Sequence, residues 1–212
     1  MATARAPRSR FYDGAIYARV MAPFMAGLHG YVADHIGPGQ IILDAGCGTG
    51  DLVFRLAPRA TSVLGVELSP AMVEYARKRA ELHGSDNVSF EIGDVASVLA
   101  DRPDARFDVA TLVMALHEMP ADARAPVLEA LARAAREVVC VDFRVPMPRN
   151  LAGLRNRFFE LAAGAEHFGG FRDFNRRGGT AGICAATGLH CEHVRDLDGA
   201  TLAIHRIRRA ES

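Results

Sequence analysis

The stretch that decides the fold is residues 41–51, which read IILDAGCGTGD. A short β-branched run leads directly into glycines at positions 46, 48 and 50. Glycine adopts backbone conformations that other residues avoid, so a glycine-rich turn after a first strand lets the backbone approach a ligand closely. The stretch therefore predicts a strand, a ligand-binding turn and a helix, in that order.

The spacing of the glycines indicates the kind of ligand. Dinucleotide sites use G-x-G-x-x-G and place the pyrophosphate at a helix N-terminus, whereas these glycines follow G-x-G-x-G. Asp44 precedes the glycines and Asp51 follows them. Two carboxylates would repel a pyrophosphate, so a ligand that carries a cationic amine fits better.

The alternation of short β-branched runs and helical stretches continues along the chain. Further runs begin near residues 62, 88, 109 and 138. Between two of them, Ser69 is the expected N-cap of a helix and Pro70 its first residue. Strands that alternate with helices predict βαβ units and a mostly parallel sheet, hence an α/β fold.

The two ends of the chain have a different pattern. Residues 11–36 and 147–187 look helical, and Asp198-Gly199 separates two alternating runs. Such a dipeptide predicts a hairpin, so the last two strands should be antiparallel. We predict a single domain over residues 1–212, divided into an N-terminal helical cap (1–40), a Rossmann-like core (41–145), a helical cap insertion (146–187) and a β-hairpin (188–212).

Composition narrows the function. The chain has 212 residues, of which 50% are hydrophobic, and its 25 basic residues cancel its 25 acidic ones. A net charge of zero argues against a nucleic-acid partner, because proteins that coat nucleic acid are strongly basic. The four scattered cysteines suit reduced thiols in the cytoplasm. No apolar run approaches the 18 or more residues of a membrane span, so we expect no stable membrane insertion.

Acidic residues also end the second and third predicted strands. Glu67 lies 23 residues after Asp44, an interval at which a carboxylate can accept both ribose hydroxyls. Leu68 follows and is placed to lie against an adenine, and Asp94 can accept from an exocyclic amine. The three acids together suit an amine, a ribose and an adenine, which is the outline of S-adenosylmethionine.

These motifs resemble those of the class I S-adenosylmethionine-dependent methyltransferases. The similar segments are residues 42–51, 67–72, 93–95 and 107–119. The resemblance implies a Rossmann-like, doubly wound, seven-stranded sheet of order 3-2-1-4-5-7-6, with strand 7 antiparallel and a helical cap. Within the family, the sequence pattern most resembles that of the small-molecule branch similar to the ubiquinone and menaquinone methyltransferases.

The resemblance also implies which residues meet the cofactor. It places Asp44 and the glycines around the methionine part, Glu67 at the ribose, and Asp94 with Val95 at the adenine. The backbone of the fourth strand's end is expected at the methionine amine. The residues expected at the cofactor are Tyr17, Asp44, Gly46, Cys47, Gly48, Glu67, Leu68, Asp94, Val95, Val113 and Met114.

The implied reaction is in-line transfer of a methyl group from S-adenosyl-L-methionine to the O, N or C atom of a small molecule, leaving S-adenosyl-L-homocysteine. The cofactor carries the reactivity, and the protein supplies alignment and desolvation. Two alternatives stay open: a regulator that binds the cofactor without catalysis, and a nicotinamide-dependent oxidoreductase, which the glycine spacing disfavours. The sequence fixes neither the acceptor nor the oligomeric state.

His117 and His167 are the candidate catalytic residues. His117 follows the fourth strand, at the sheet edge where ligands bind in open α/β folds, and His167 lies in the cap region. Either can act as a general base near its ordinary pKa of about 6.5. The alternative is that both histidines serve packing and that catalysis is alignment alone.

Arginines and phenylalanines mix over residues 149–177. The pattern suits a substrate lid, a membrane-facing helix or an ordinary helix with a solvated arginine face. We expect the lid. Four residues near the C-terminus have side chains that can bind zinc: Cys184, His190, Cys191 and His193. Their spacing does not match the C-x2-C pairs of usual zinc sites, so no metal is predicted.

Overall fold

The computed structural model describes residues 22–162 and 164–210. Strands and helices alternate through the middle of the chain, as the sequence predicts. The elements are α1 (Ala22–Asp34), β1 (Ile41–Ala45), α2 (Asp51–Leu56), β2 (Ser62–Glu67), α3 (Pro70–His83), β3 (Val88–Ile92), α4 (Val95–Ala100), β4 (Phe107–Val113), α5 (Arg124–Ala134), β5 (Ala135–Phe143), α6 (Leu151–Ala162), α7 (Ala165–Arg176), α8 (Gly179–Thr187), β6 (His190–Leu197) and β7 (Leu202–Arg208).

The strands form a mixed sheet in the predicted order, β3-β2-β1-β4-β5-β7-β6. β1 and β2 pair in parallel, as do β2 and β3. β7 runs antiparallel to both β5 and β6. The predicted fold class, including the antiparallel seventh strand, is confirmed.

The chain divides into two compact units at the bond between Thr111 and Leu112. In the first unit, β1 is buried over four of its five residues, so its apolar side chains pack on both faces. That continuous burial is typical of a central parallel strand. The prediction of a single domain with four segments, 1–40, 41–145, 146–187 and 188–212, stays a prediction.

The second unit contains the predicted hairpin. Residues 198–201 connect β6 to β7, and Asp198, Gly199 and Ala200 among them have φ values of 49°, 63° and 65°. Left-handed residues of this kind reverse a chain tightly, so the hairpin prediction is confirmed. A register shift between His193 and Arg195 interrupts the β6–β7 ladder.

The start of α3 is also as predicted. The Ser69 side chain accepts a hydrogen bond from the Met72 N–H at 3.4 Å, and Pro70 occupies the first turn. Proline fits there because its missing N–H would have no helical partner. Over residues 22–162 and 164–210, no helix has the length and apolar character needed to cross a membrane.

Candidate functional site

The glycine turn after β1 is held by the end of β2. Gly46 and Gly48 have φ values of 71° and 54°, a region that favours glycine because it lacks a Cβ. The N–H groups of Gly46 and Cys47 both donate to the Val66 carbonyl oxygen, at 2.8 and 3.1 Å. The turn is therefore a fixed backbone cradle at the carboxyl ends of two adjacent strands.

Glu67 locks this cradle from the side. Its Oε2 accepts from the Gly48 N–H at 3.2 Å, and its Oε1 accepts from the Ser69 N–H at 2.9 Å. One half-buried carboxylate thus connects the glycine turn to the start of α3. Leu68, also half-buried, follows it directly.

Asp44 lies at the end of β1 and is 3% exposed. Its Oδ1 accepts from the Thr111 hydroxyl at 2.6 Å. Burial raises the pKa of Asp44, the Thr111 hydrogen bond lowers it and the negative charge of Glu67 raises it, so that the pKa is about 7. A buried carboxylate beside a second acid favours a positively charged ligand, whose arrival would stabilise the ionised form.

Cys47 lies within the glycine turn, and its side chain is buried. Burial raises the pKa of its thiol, and the charges of Asp44 and Glu67 raise it further. The thiol therefore stays protonated, and a protonated thiol is a poor nucleophile. The predicted place of Cys47 at the cofactor stays a prediction.

Asp94 ends the loop after β3 and caps α4. Its Oδ2 accepts from the N–H and the hydroxyl of Ser97, each at 3.0 Å. Val95 follows, buried at 6% exposure. The cap fixes the direction of the Asp94 carboxyl group, and it leaves the adenine role of these two residues a prediction.

Asp51 differs from what its position suggested. Sequence reasoning grouped it with Asp44 as an acid for a cationic ligand. In the structure its carboxylate receives the Arg79 guanidinium and the Thr49 hydroxyl, each at 2.8 Å. Asp51 is therefore already neutralised, and Asp44 is the acid left for a ligand's amine. Arg79 lies 28 residues away in α3, so no local pattern could reveal the pair.

Val113 and Met114 lie in the second unit, at the end of β4. Met114 has a φ of 53°, an uncommon value for a non-glycine residue. Its N–H donates to the Val141 carbonyl oxygen at 2.8 Å. Backbone strain of this kind often marks a functional segment, and the predicted role of these residues at the cofactor amine stays a prediction.

His117 is buried, at 2% exposure, and paired with Asp142 of β5. Its Nδ1 lies 2.8 Å from Asp142 Oδ1, and its backbone N–H donates to Asp142 Oδ2 at 3.1 Å. Its Nε2 lies 3.9 Å from a carboxylate oxygen of Glu118 and 3.9 Å from one of Glu160.

The protonation state of His117 follows from these three acids. Burial lowers its pKa, but the charge and hydrogen bond of Asp142, with smaller contributions from Glu118 and Glu160, raise it to about 9. The imidazole is therefore a cation at neutral pH. The sequence could not supply this shift, because Asp142 lies 25 residues away.

Arg124, which sequence reasoning missed, organises the same region. It is 1% exposed. Its guanidinium donates to the carbonyl oxygens of Met119, His117 and Gly170 at 3.0–3.1 Å, and it pairs with Asp173 at 3.0 Å. It thereby ties the loop after β4 to α7. Its position in an ordinary amphipathic helix gave no signal.

Two predicted site residues, Tyr17 and His167, lie wholly or partly outside the part of the chain that the structure describes. Tyr17 precedes the described residues. His167 lies in the first half of α7, but its side chain is not among those described. Their roles stay predictions.

The phenylalanines of residues 149–177 differ in burial, and the predicted substrate lid stays a prediction. Phe171 and Phe174 are core residues of the second unit, at 4% and 0% exposure. Phe158 and Phe159 of α6 are 67% and 59% exposed. The phenylalanines thus belong to two different environments.

The cysteine and histidine candidates at the C-terminal end are spread over β6 and α8. Cys184 is buried in α8, whereas Cys191 is half-buried in β6. His193 bonds to Asp196 at 2.8 Å. Within residues 22–162 and 164–210, no group of three or more His, Cys, Asp or Glu side chains is placed to hold a metal ion.

Residues 42–138 match the family model of a methyltransferase domain. Among curated relatives, the 23S rRNA (uracil(1939)-C(5))-methyltransferase RlmD of Alkalilimnicola ehrlichii is 46% identical over 66 residues, which cover 31% of this chain and 15% of that enzyme. This chain therefore spans about a seventh of the length of that relative.

Solved structures resemble nearly the whole chain. An O-methyltransferase family protein from Burkholderia thailandensis superposes with a TM-score of 0.70 at 16% identity, over 94% of this chain and 60% of that one. DhpI, solved as its complex with SAM and HEP, gives 0.62 at 20% identity, over 93% and 94%. At these identities the likeness establishes the fold.

The family match over residues 42–138 and the fold both support the predicted class, the class I S-adenosylmethionine-dependent methyltransferases. They also support the predictions of an enzyme of this class and of S-adenosylmethionine as its cofactor. The residues present fit that cofactor, because a positive-φ glycine cradle lies beside carboxylates at adjacent strand ends.

The raised pKa of Asp44 predicts pH-dependent cofactor binding. An ionised Asp44 is needed to bind a cationic amine, so affinity for S-adenosylhomocysteine should rise about tenfold between pH 6 and pH 8, through the pKa of about 7. Titration calorimetry across that range measures it. Asp44→Asn should bind weakly with no pH slope, and Asp86→Asn, an exposed control, should keep the slope. A dissociation constant independent of pH in the wild type would refute the assignment.

The raised pKa of His117 predicts alkaline destabilisation. Its ordinary pKa is 6.5 and its pKa in the folded protein is about 9, so its stabilisation is complete below pH 6.5 and is lost as pH rises through 9. The free energy of unfolding should fall by about 2–3 kcal/mol from pH 7 to pH 9, measured by urea denaturation. Asp142→Asn should flatten this profile, whereas His35→Gln should not. A flat wild-type profile would contradict the buried ion pair.

Proposed function

We propose that this chain transfers a methyl group from S-adenosylmethionine to a small-molecule acceptor. The observation that carries the proposal is the pair of carboxylates at the ends of β1 and β2, with the glycine turn held against Glu67. A cradle with this charge suits a cationic amine followed by a ribose. The family match over residues 42–138 supports methyl transfer over hydride transfer.

Each residue of the cradle has a proposed role. Asp44 accepts from the cofactor amine, and the backbone of residues 46–48 lies against the methionine part. Glu67 accepts from the ribose hydroxyls, since its carboxylate is already oriented by two backbone N–H groups. The remaining proposed contacts are Leu68, Asp94 and Val95 at the adenine, the backbones of Val113 and Met114 at the amine, and Tyr17 from the N-terminal segment.

When bound, the cofactor supplies an electrophilic methyl group, so the chain needs chiefly to orient the acceptor and exclude water. A buried His117 that is cationic below about pH 9 does not accept a proton at neutral pH. We therefore propose that His117 positions the loop after β4 through Asp142, and that transfer at neutral pH rests on alignment. His167 keeps its proposed role as a base for an acceptor that must lose a proton.

The acceptor proposal favours a small molecule over RNA. The 25 basic and 25 acidic residues balance, whereas RNA-binding surfaces carry a strong excess of positive charge. The RNA named for the curated relative belongs to an enzyme of which this chain spans 15%. A branch similar to the quinone methyltransferases and a cytoplasmic location remain part of the proposal.

The proposal is tested with methyl-labelled S-adenosylmethionine. Incubation with a cell extract separated into small molecules, RNA and protein should place the label in the small-molecule fraction. Asp44→Asn should reduce transfer at least tenfold at saturating acceptor and limiting cofactor, because it removes a charge-assisted bond worth roughly 1.5–3 kcal/mol. Asp86→Asn should retain activity. Label in RNA would overturn the acceptor, and cofactor binding without any transfer would favour a non-catalytic regulator.

A further inference from the structure

Helix α6 has the reverse of the usual amphipathic arrangement, with a polar face buried and an apolar face exposed. Its buried face carries polar side chains, since Asn156 and Glu160 are each 9% exposed. Its opposite face carries large apolar side chains at helical spacing, exposed at 86%, 64%, 67% and 56%. This face, called here the α6 apolar face, consists of Leu151, Leu154, Phe158 and Leu161.

The orientation of α6 is fixed by specific contacts. Asn156 Nδ2 donates to the Thr201 hydroxyl at 3.0 Å. A Cβ added at Gly153 would overlap the carbonyl oxygen of Pro148, so the helix backbone packs directly against the segment before it at this point. The outward direction of the apolar face is therefore built into the packing of the second unit.

The borders of the α6 apolar face are positively charged. Arg155 lies on one side, ion-paired with Asp198, and Arg157 lies on the other, donating to the Met147 carbonyl oxygen at 3.0 Å. Arg149 precedes the helix and joins Arg157 in lining a hollow of about 600 Å³. The acid within α6, Glu160, is on the buried face, so the outer surface of the helix presents arginines without carboxylates of its own.

An apolar stripe bordered by arginines has the chemistry of a helix that lies in a lipid headgroup region. Contiguous apolar surface of this kind is unfavourable in water and marks an interaction site. Twelve residues of helix extend about 18 Å, well short of the roughly 30 Å of a bilayer core, so α6 would lie along the surface. We propose that the α6 apolar face docks this protein onto an anionic phospholipid bilayer.

A tryptophan reporter tests the docking directly. The chain contains no tryptophan, so Phe158→Trp places a single fluorophore on the α6 apolar face. In buffer its emission should be that of an exposed indole, open to acrylamide. Vesicles of phosphatidylcholine containing phosphatidylglycerol should shift the emission to the blue and reduce quenching several-fold. Vesicles of phosphatidylcholine alone should have a smaller effect, and high salt should weaken the effect of the anionic vesicles.

Co-sedimentation of the full chain with the same vesicles supplies matched variants. Leu154→Ser combined with Phe158→Ser should reduce the bound fraction at least tenfold. Leu82→Ser, which replaces a side chain of α3 that is also 86% exposed, should leave binding unchanged. Arg149→Gln with Arg157→Gln should remove the preference for the anionic lipid. None of these readouts depends on methyl transfer, so they fail or succeed independently of the proposed activity.

Three results would overturn the proposal. The first is wild-type protein that binds neither kind of vesicle. The second is a blue, quencher-protected reporter in buffer whose protection grows with protein concentration, which would assign the face to a second copy of the chain. The third is the same protection at every concentration, which would mean that another segment of the chain covers α6.

Discussion

The contact on which the candidate site depends is the double acceptance by Glu67. Its two carboxylate oxygens hold the N–H groups of Gly48 and Ser69, which belong to different turns. Leaving a partly buried N–H without an acceptor costs about 1–3 kcal/mol, so these bonds fix both turns relative to the end of β2. The glycine cradle therefore keeps its shape without a ligand, and a preformed cradle loses less entropy on binding.

The same arrangement places two carboxyl groups, those of Asp44 and Glu67, near each other. Burial raises the pKa of Asp44, and the nearby charge of Glu67 adds to that shift. Two acids near one cradle cost free energy in the empty protein and favour whatever brings positive charge. Perturbed carboxylates of this kind are characteristic of functional sites. Stability and ligand affinity are thus linked through one proton on Asp44.

In the second unit, two buried cations are each paired with a carboxylate of the chain. His117 has its own counter-ion in Asp142, and Arg124 has one in Asp173. Both cations are almost fully buried, and both also bind the backbone. Removing one partner from a buried pair costs about 3–5 kcal/mol, so these residues act first as structural ties of the loop after β4 and of α7.

Local rules were sufficient for much of this structure. The serine cap and proline of α3 and the Asp-Gly hairpin follow from short-range patterns, whereas the strand order was implied by the resemblance to the methyltransferases. The structure confirms all of them. The cradle acids could also be predicted, because strand ends in a parallel sheet meet at one edge.

The remaining features depend on partners distant in sequence. Arg79 neutralises Asp51, and Asp142 sets the charge of His117. For α6 the sequence pattern left a lid, a membrane-facing helix and a helix with a solvated arginine face open. The contact that turns its apolar side chains outward is the packing of Asn156 on Thr201, which is distant in sequence.

Glu67 is the residue on which cofactor binding at the glycine cradle should depend most. Titration calorimetry with S-adenosylhomocysteine at pH 8 should show one site in the wild-type protein. Glu67→Gln should raise the dissociation constant at least tenfold, since a charged hydrogen bond is worth about 1.5–3 kcal/mol. Glu91→Gln, which alters an acid of β3 that pairs with Arg102, should bind as the wild type does. Equal affinity in the folded Glu67 variant, or no binding by the wild type, would contradict the central claim.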